Sequence, residues 1–172
     1  FVPTSDAPEL YDAEILDGPT QRLTARYGQP VIVKEEIRPT GIIHTPAGET
    51  VIDMGQNMAG FVRFSVDEPK GVKIHMQFGE VLQDGNFYRD NLRTAKAEFT
   101  YISDGIAKDV QPHFTYYGFR YVKVEGFTKE ISTEQFTGCV LYSDLEQTGW
   151  ITTNNDKVNQ LIQNAMWGQK CN

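Results

Sequence analysis

The sequence predicts an all-β protein, a sandwich or barrel of antiparallel strands, with one α-helix at the carboxyl end. Three observations predict it. Between Val31 and Ser143, short segments rich in Val, Ile, Phe, Tyr and Thr recur, separated by Gly, Pro, Asn or Asp, which is how strands and turns alternate. Within Val72–Phe78 the apolar residues Val72, Ile74, Met76 and Phe78 fall on one side and Lys73, His75 and Gln77 on the other, as in an antiparallel sheet with one dry face. After Trp150 the period changes: Val158, Leu161, Ile162, Ala165 and Met166 make the stripe of an amphipathic helix.

Taken in order, residues 1–30 are rich in Pro, Asp, Thr and Gly, with a brief apolar patch at Leu10, Tyr11, Ile15 and Leu16. Such a segment reads as a lead-in or the tail of a preceding module, and its boundary is placed at 1–22. The sandwich is expected over 23–149. Its segments are VIVKEEI, GIIHT, TVIDM, GFVRFSV, VKIHMQF, AEFTYIS, FRYVKVEGF and FTGCVLYS. In VIDMGQNMAGFVRFSV, the strands Val51–Met54 and Phe61–Val66 are expected to flank a tight corner made by Gly55, Gln56, Asn57 and Gly60, since glycine takes backbone angles that other residues avoid. Gly79 to Ala95 reads as the longest connection. Residues 150–172 are assigned to a linker and the first helix of a following domain, with Asn154 or Asn155 as cap, Asp156 suited to the helix dipole, and Trp167 adding to a face that wants a partner.

At 172 residues the chain suits one domain, or one domain and a short appendage, and its 40% apolar and 23% charged residues are those of a globular protein. No apolar run reaches the ~20 residues that a membrane span needs. A net charge of −7 argues against nucleic acid, whose phosphates require a basic stripe. Cys139 and Cys171 read as free thiols in different elements. His44, His75 and His113 show no metal-binding spacing, and no nucleophile elbow or phosphate-cradling loop is present. The chain begins without Met and ends without a helix stop, so it is expected to be a piece of something longer.

Chemistry-bearing residues concentrate in three places. Glu80, Asp84, Asp90 and Glu98 surround the long connection, where a carboxyl pair ~5 Å or ~6.5 to 9.5 Å apart would suit glycoside hydrolysis, although surface charge is the plainer reading. The connection also offers Tyr88, Arg89, Asp90, Asn91 and Arg93, an aromatic and planar polar set fit for a sugar ring or for holding the loop against a neighbouring domain. Asp53, Gln56 and Asn57 have oxygens fit for calcium or sugar, but Asp and Asn also satisfy turn backbone, and the turn reading is preferred. The run Phe114, Tyr116, Tyr117, Phe119, Tyr121 and Phe127 reads as core between sheets, with Arg120 bonding across a strand or loop.

These phrases together resemble the bacterial α-L-rhamnosidases of glycoside hydrolase family 78 from about Leu23 onward. LTARYGQPVIVKEEIRPT is similar to the family's entry into its concanavalin-like sandwich. DMGQNMAGFVRFSV resembles the DFGQN corner through Asp53, Gly55, Gln56, Asn57 and Gly60, with Met54 where phenylalanine is usual. GEVLQDGNFYRDNLRTAKAEFTYI is similar through Glu80, Val81, Leu82, Asp84, Gly85, Tyr88, Asn91, Leu92, Arg93, Ala95, Thr100 and Tyr101. PHFTYYGFRYVKVEGF is similar through Pro112, Phe114, Gly118, Phe119, Arg120, Tyr121, Val122, Val124 and Gly126, and NNDKVNQLIQNAMWGQKCN resembles the helix leading into an (α/α)6 barrel. The resemblance implies a jelly-roll β-sandwich, accessory to a catalytic barrel in the same polypeptide that hydrolyses terminal α-L-rhamnosides with inversion. The family's catalytic acidic residues have no counterpart here, so no catalytic residue is assigned. The module that in some members binds rhamnose with calcium is represented at most by Glu9 to Leu16, so no metal and no cofactor is expected. Gln56, Asn57, Tyr88, Asp90, Asn91 and Arg93 become candidates for a substrate rim or a domain interface, with a rhamnose-containing glycan as a second partner. An autonomous carbohydrate-binding module, or a small sandwich enzyme acting through Glu80, Asp84 or Asp90, are the alternatives.

Overall fold

The computed structural model describes residues 14–171. The expectations on Leu10, Tyr11 and most of the Glu9–Leu16 patch lie outside the described residues. Residues 14–30 carry no regular element, and Ile15 and Leu16 are exposed. Ten strands and one helix follow: β1 Val31–Ile37, β2 Gly41–His44, β3 Thr50–Val66, β4 Lys73–Gly79, β5 Val81–Gln83, β6 Asn86–Tyr88, β7 Glu98–Ile102, β8 Lys108–Val110, β9 Tyr117–Glu125, β10 Phe136–Ser143 and α1 Asp156–Lys170. The all-β sandwich with a single carboxyl-terminal helix is therefore the observed class.

All pairings are antiparallel, in the order β1-β10-β3-β9-β4-β7, with β2 and β8 also on β3 and β5-β6 forming a separate hairpin. The sheet curls because β3 serves both ends. Its first residues pair with β2 and its last with β10 and β8. The enclosed core contains Phe64, Phe78, Phe119 and Phe136, with Ile52, Met54, Met58 and Val122 among their neighbours. The predicted alternation holds in β4, where Ile74, Met76 and Phe78 are buried, and in β9, where Val122 and Val124 are.

Two local expectations need correction. The glycine corner does not end a strand: β3 runs uninterrupted for 17 residues, and the corner is a wide bulge within it. Pairing with β9 passes from Asp53↔Tyr121 to Met58↔Phe119, so residues 54–57 face Arg120 alone. Gly55 supplies the left-handed angle, φ +76°, and Asp53 Oδ1 accepts from its N–H at 2.7 Å. Gly60 has no such angle and serves a close strand approach instead. The second correction concerns 79–95, which is not an open connection. It folds into the β5–β6 hairpin, turning on Asp84 (φ +50°) and Gly85 (φ +76°), then a single 3-10 turn at Asp90–Leu92.

Asn155 caps α1, accepting from the N–H groups of Lys157 and Val158. The last turn is latched to the sandwich. Lys170 Nζ donates to Glu35 Oε1 on β1 at 2.5 Å, Tyr142 OH on β10 donates to the same oxygen at 2.7 Å, and Trp167 packs against the core. The first half of the helix is less covered, with Val158 and Leu161 exposed. Burial alone would raise the Glu35 carboxyl, but the hydrogen bonds from Lys170 and Tyr142, with the ammonium charge, more than offset it and hold it below its ordinary 4.5. Burial, then Glu35, pushes Tyr142 up to about 12. A carboxyl depressed in the folded state stabilises above its ordinary pKa, and that contribution is lost as pH falls through the lower folded value. Amide exchange in the last turn of α1, taken relative to its intrinsic rate at each pH, should therefore quicken below about pH 4.5. Glu35→Gln should quicken it at neutral pH already and flatten this acid dependence.

Candidate functional site

The strongest polar assembly lies where the β3 bulge meets the residues after β4. Glu80, the first residue beyond β4, stands between two amides. Its Oε1 accepts from Asn57 Nδ2 at 3.2 Å and its Oε2 from Asn91 Nδ2 at 3.1 Å. Gln56 Nε2 donates to the Asn57 carbonyl at 2.8 Å. Across the bulge, Arg120 grips Asp53 with two bonds, Nε to Oδ1 at 2.8 Å and Nη2 to Oδ2 at 2.9 Å. The bonds from Arg120 are the chief reason that Asp53 lies below the ordinary carboxylate range, against a smaller opposing effect of burial. The expectation that Asp53 satisfies the turn and Arg120 bonds across it is thus what the structure contains. The bulge is held from both sides, by an ion pair beneath and by Glu80 beside it.

The loop after β6 is anchored at its far end by Arg89, whose guanidinium donates to the carbonyls of Lys96 and Ala97. Between that anchor and Asn91, Arg93 adopts φ +56°, ψ −111°, outside the regions open to a side-chain-bearing residue. Holding it there costs about 1–3 kcal/mol. Its exposed guanidinium makes no hydrogen bond or ion pair among the described residues. Tyr88 is half-buried opposite Val81 in the hairpin, and Asp90 is exposed, its carbonyl accepting from the Arg93 N–H. The structure thus brings Asn57 and Asn91 together on Glu80, with Gln56 bonded to the Asn57 carbonyl, while Tyr88, Asp90 and Arg93 lie along the same segment as Asn91. Asn91 spends its amide on the Glu80 carboxylate.

The other carboxylates do not gather into one site. Asp84 occupies the hairpin turn, and Glu98 lies 3.6 Å from His75 on the outer face of the sheet. The aromatic run is divided. Phe119 is buried, Tyr117 stacks on Phe78 with centroids 4.1 Å apart, and Phe127 meets Phe64 and Phe136. Phe114 and Tyr116, expected in the core, stand in solvent, Phe114 with φ +60°. Sequence reasoning had also passed over a groove of about 710 Å³ between β2 and the chain after β9, where Lys123 lies between Glu49 (3.3 Å) and Glu125 (3.1 Å). Among the described residues no group of three or more His, Cys, Asp or Glu side chains is placed to hold a metal ion. Cys139 and Cys171 are both free, the first buried and the second beside the Asn57 carbonyl at 3.8 Å.

Fold and site together define a concanavalin-like β-sandwich, its polar end organised by amides around one carboxylate. The chain belongs to the bacterial alpha-L-rhamnosidase concanavalin-like domain family, whose model matches residues 43–142. It is 36% identical over 154 residues to an alpha-L-rhamnosidase of Streptomyces avermitilis, covering 88% of this chain and 15% of that protein. One from Formosa agariphila is 37% identical over 131 residues, 73% of this chain and 14% of the relative. Among solved structures, the Streptomyces avermitilis alpha-L-rhamnosidase complexed with L-rhamnose superposes with a TM-score of 0.83 at 37% identity, over 87% of this chain and 15% of that one. The Aspergillus terreus enzyme does so with 0.83 at 34%, over 90% and 18%. The chain therefore spans about 15% of the length of the relatives it matches.

Proposed function

We propose that this chain is a non-catalytic accessory β-sandwich of an α-L-rhamnosidase that hydrolyses terminal α-L-rhamnosides with inversion. It supports a catalytic barrel in the same polypeptide, with 1–22 as lead-in, 23–149 as the sandwich and 150–172 as linker and first helix of the barrel. Gln56, Asn57, Tyr88, Asp90, Asn91 and Arg93 stand at the substrate rim or at the contact between the two domains. The observation that carries the reading is the family match over 43–142 in a chain that corresponds to about 15% of each rhamnosidase relative. The geometry supports it further: both oxygens of Glu80, the carboxylate best placed for chemistry, are engaged by amides.

The test is hydrolysis of an aryl α-L-rhamnoside by the 172-residue chain beside the full-length protein. Turnover by the full-length protein only, with inverted anomeric configuration in the product, is the expected result. Turnover by the chain alone would overturn the accessory reading and direct attention to Glu80 and Asp90. Rhamnose binding by the chain alone would make it an autonomous carbohydrate-binding module, for which the solvent-facing Phe114 and Tyr116 offer the stacking surface.

A further inference from the structure

We propose that Glu80 is a positioning residue, which ties the loop at Asn91 to the β3 bulge and so presents the Arg93 guanidinium as a donor to sugar hydroxyls at the substrate rim. The inference rests on the accessory reading above and deepens it. Three observations converge. Glu80 is shared by the two candidate segments: one oxygen holds Asn57 of the bulge and the other Asn91 of the loop, so neither segment can shift without breaking a bond to the shared carboxyl group. The loop between its two anchors stores strain at Arg93, with φ +56° and ψ −111°, and such an angle persists only where the surroundings impose it. The imposing contacts are Asn91 on Glu80 at one end and Arg89 on the Lys96 and Ala97 carbonyls at the other. What the strain delivers is a guanidinium left open to solvent, two residues beyond Asn91, with its forked N–H groups unpaired among the described residues.

The proposed placement at a substrate rim draws its support from the helix. Its C-cap Cys171 lies against the Asn57 carbonyl at 3.8 Å, so polypeptide continuing past α1 sets out from the bulge, one hydrogen bond from Glu80 and two from Asn91. The relatives are several times the length of this chain, so a domain following α1 would meet this corner of the sandwich first.

The experiment is steady-state kinetics on an aryl α-L-rhamnoside with the full-length protein carrying Glu80→Ala, Glu80→Gln, Arg93→Ala and the Glu80→Ala/Arg93→Ala pair, beside amide exchange over residues 91–93. Glu80→Ala is expected to raise KM about ten-fold, the loss of roughly one hydrogen bond to a charged group, with kcat within about two-fold. Glu80→Gln, which keeps one acceptor oxygen, should fall between, Arg93→Ala should match Glu80→Ala, and the pair should add nothing further. Exchange over 91–93 should quicken in Glu80→Ala. Should Glu80→Ala fail to fold, Asn91→Ala cuts the loop side alone and is expected to give the same KM effect. Unchanged KM in a folded Glu80 or Asn91 variant, additive effects in the pair, or unchanged exchange over 91–93 would overturn the inference. Absence of rhamnoside hydrolysis by the unmodified full-length protein would instead sink the functional reading, and the exchange measurement would still decide whether Glu80 holds the loop.

Discussion

Replacing Phe64 with alanine is expected to cost about 3–5 kcal/mol of folding stability, read as a shift of the urea midpoint. Phe64 is 1% exposed on the second half of β3, where it pairs with Phe136 on one side and Val110 on the other. Its ring meets Phe99, Tyr101 and Phe127 edge-on, with centroids 6.2 to 6.5 Å apart, and stacks on Phe136 at 6.3 Å. These partners come from β7, β10 and the chain after β9, so no single element can move in to fill the space. The loss would be a large share of the roughly 5–15 kcal/mol that holds a domain of this size. Phe64→Leu, which keeps most of the volume, should cost less than about half as much. A loss under about 1 kcal/mol for the alanine variant would show that the core does not centre on this ring.

Gly60→Ala is expected to be comparably severe, about 3–4 kcal/mol, for a different reason. A Cβ at Gly60 would lie 2.1 Å from the Cys139 carbonyl oxygen and 3.3 Å from Val140 Cα, both in the backbone of β10, so the two strands would have to part. The φ angle of Gly60 lies outside the left-handed region, so its role is purely one of space. Gly149→Ala, with nothing within 4 Å of the added carbon, is the control and should stay within about 0.5 kcal/mol of the parent. Melting of the two variants side by side checks both. A Gly60→Ala protein as stable as Gly149→Ala would mean that β3 and β10 are less closely held than their register implies.

The strands most easily read were those whose burial follows their own sequence period. β4 and β9 alternate, and the helix carries both its stripe and its Asn155 cap, so local rules and tertiary packing agree. The corner at Asp53–Asn57 was misread as a strand end because its turn chemistry is genuine, but Met54 and Met58 on either side are each 1% exposed and keep the chain within the sheet. The β5–β6 hairpin had a legible signal in Asp84-Gly85, muted by strands of only three residues. Phe114 and Tyr116 belong to the same aromatic run as Phe119, and only strand register distinguishes ring in core from ring in water. For the site, Asp53, Asn57, Asn91 and Arg120 were legible as polar residues at a turn and a loop. That one carboxylate at position 80 joins the turn to the loop was not, because it depends on a contact between segments 23 residues apart that no local pattern encodes.

The pairing of β1 with β10 carries a consequence for how the chain is made. Val31 pairs with Ser143 and Ile37 with Gly138, so β1 leaves the ribosome roughly a hundred residues ahead of the strand it pairs with. At ~5–20 residues per second that wait is on the order of 5–20 s, long beside the microseconds in which a hairpin forms. During it, β1 offers the apolar Val31, Ile32 and Val33 with no partner from β10, a template for pairing between nascent chains. Lys34, Glu35 and Glu36 follow immediately, and charges of both signs beside such a run discourage that pairing until β10 arrives.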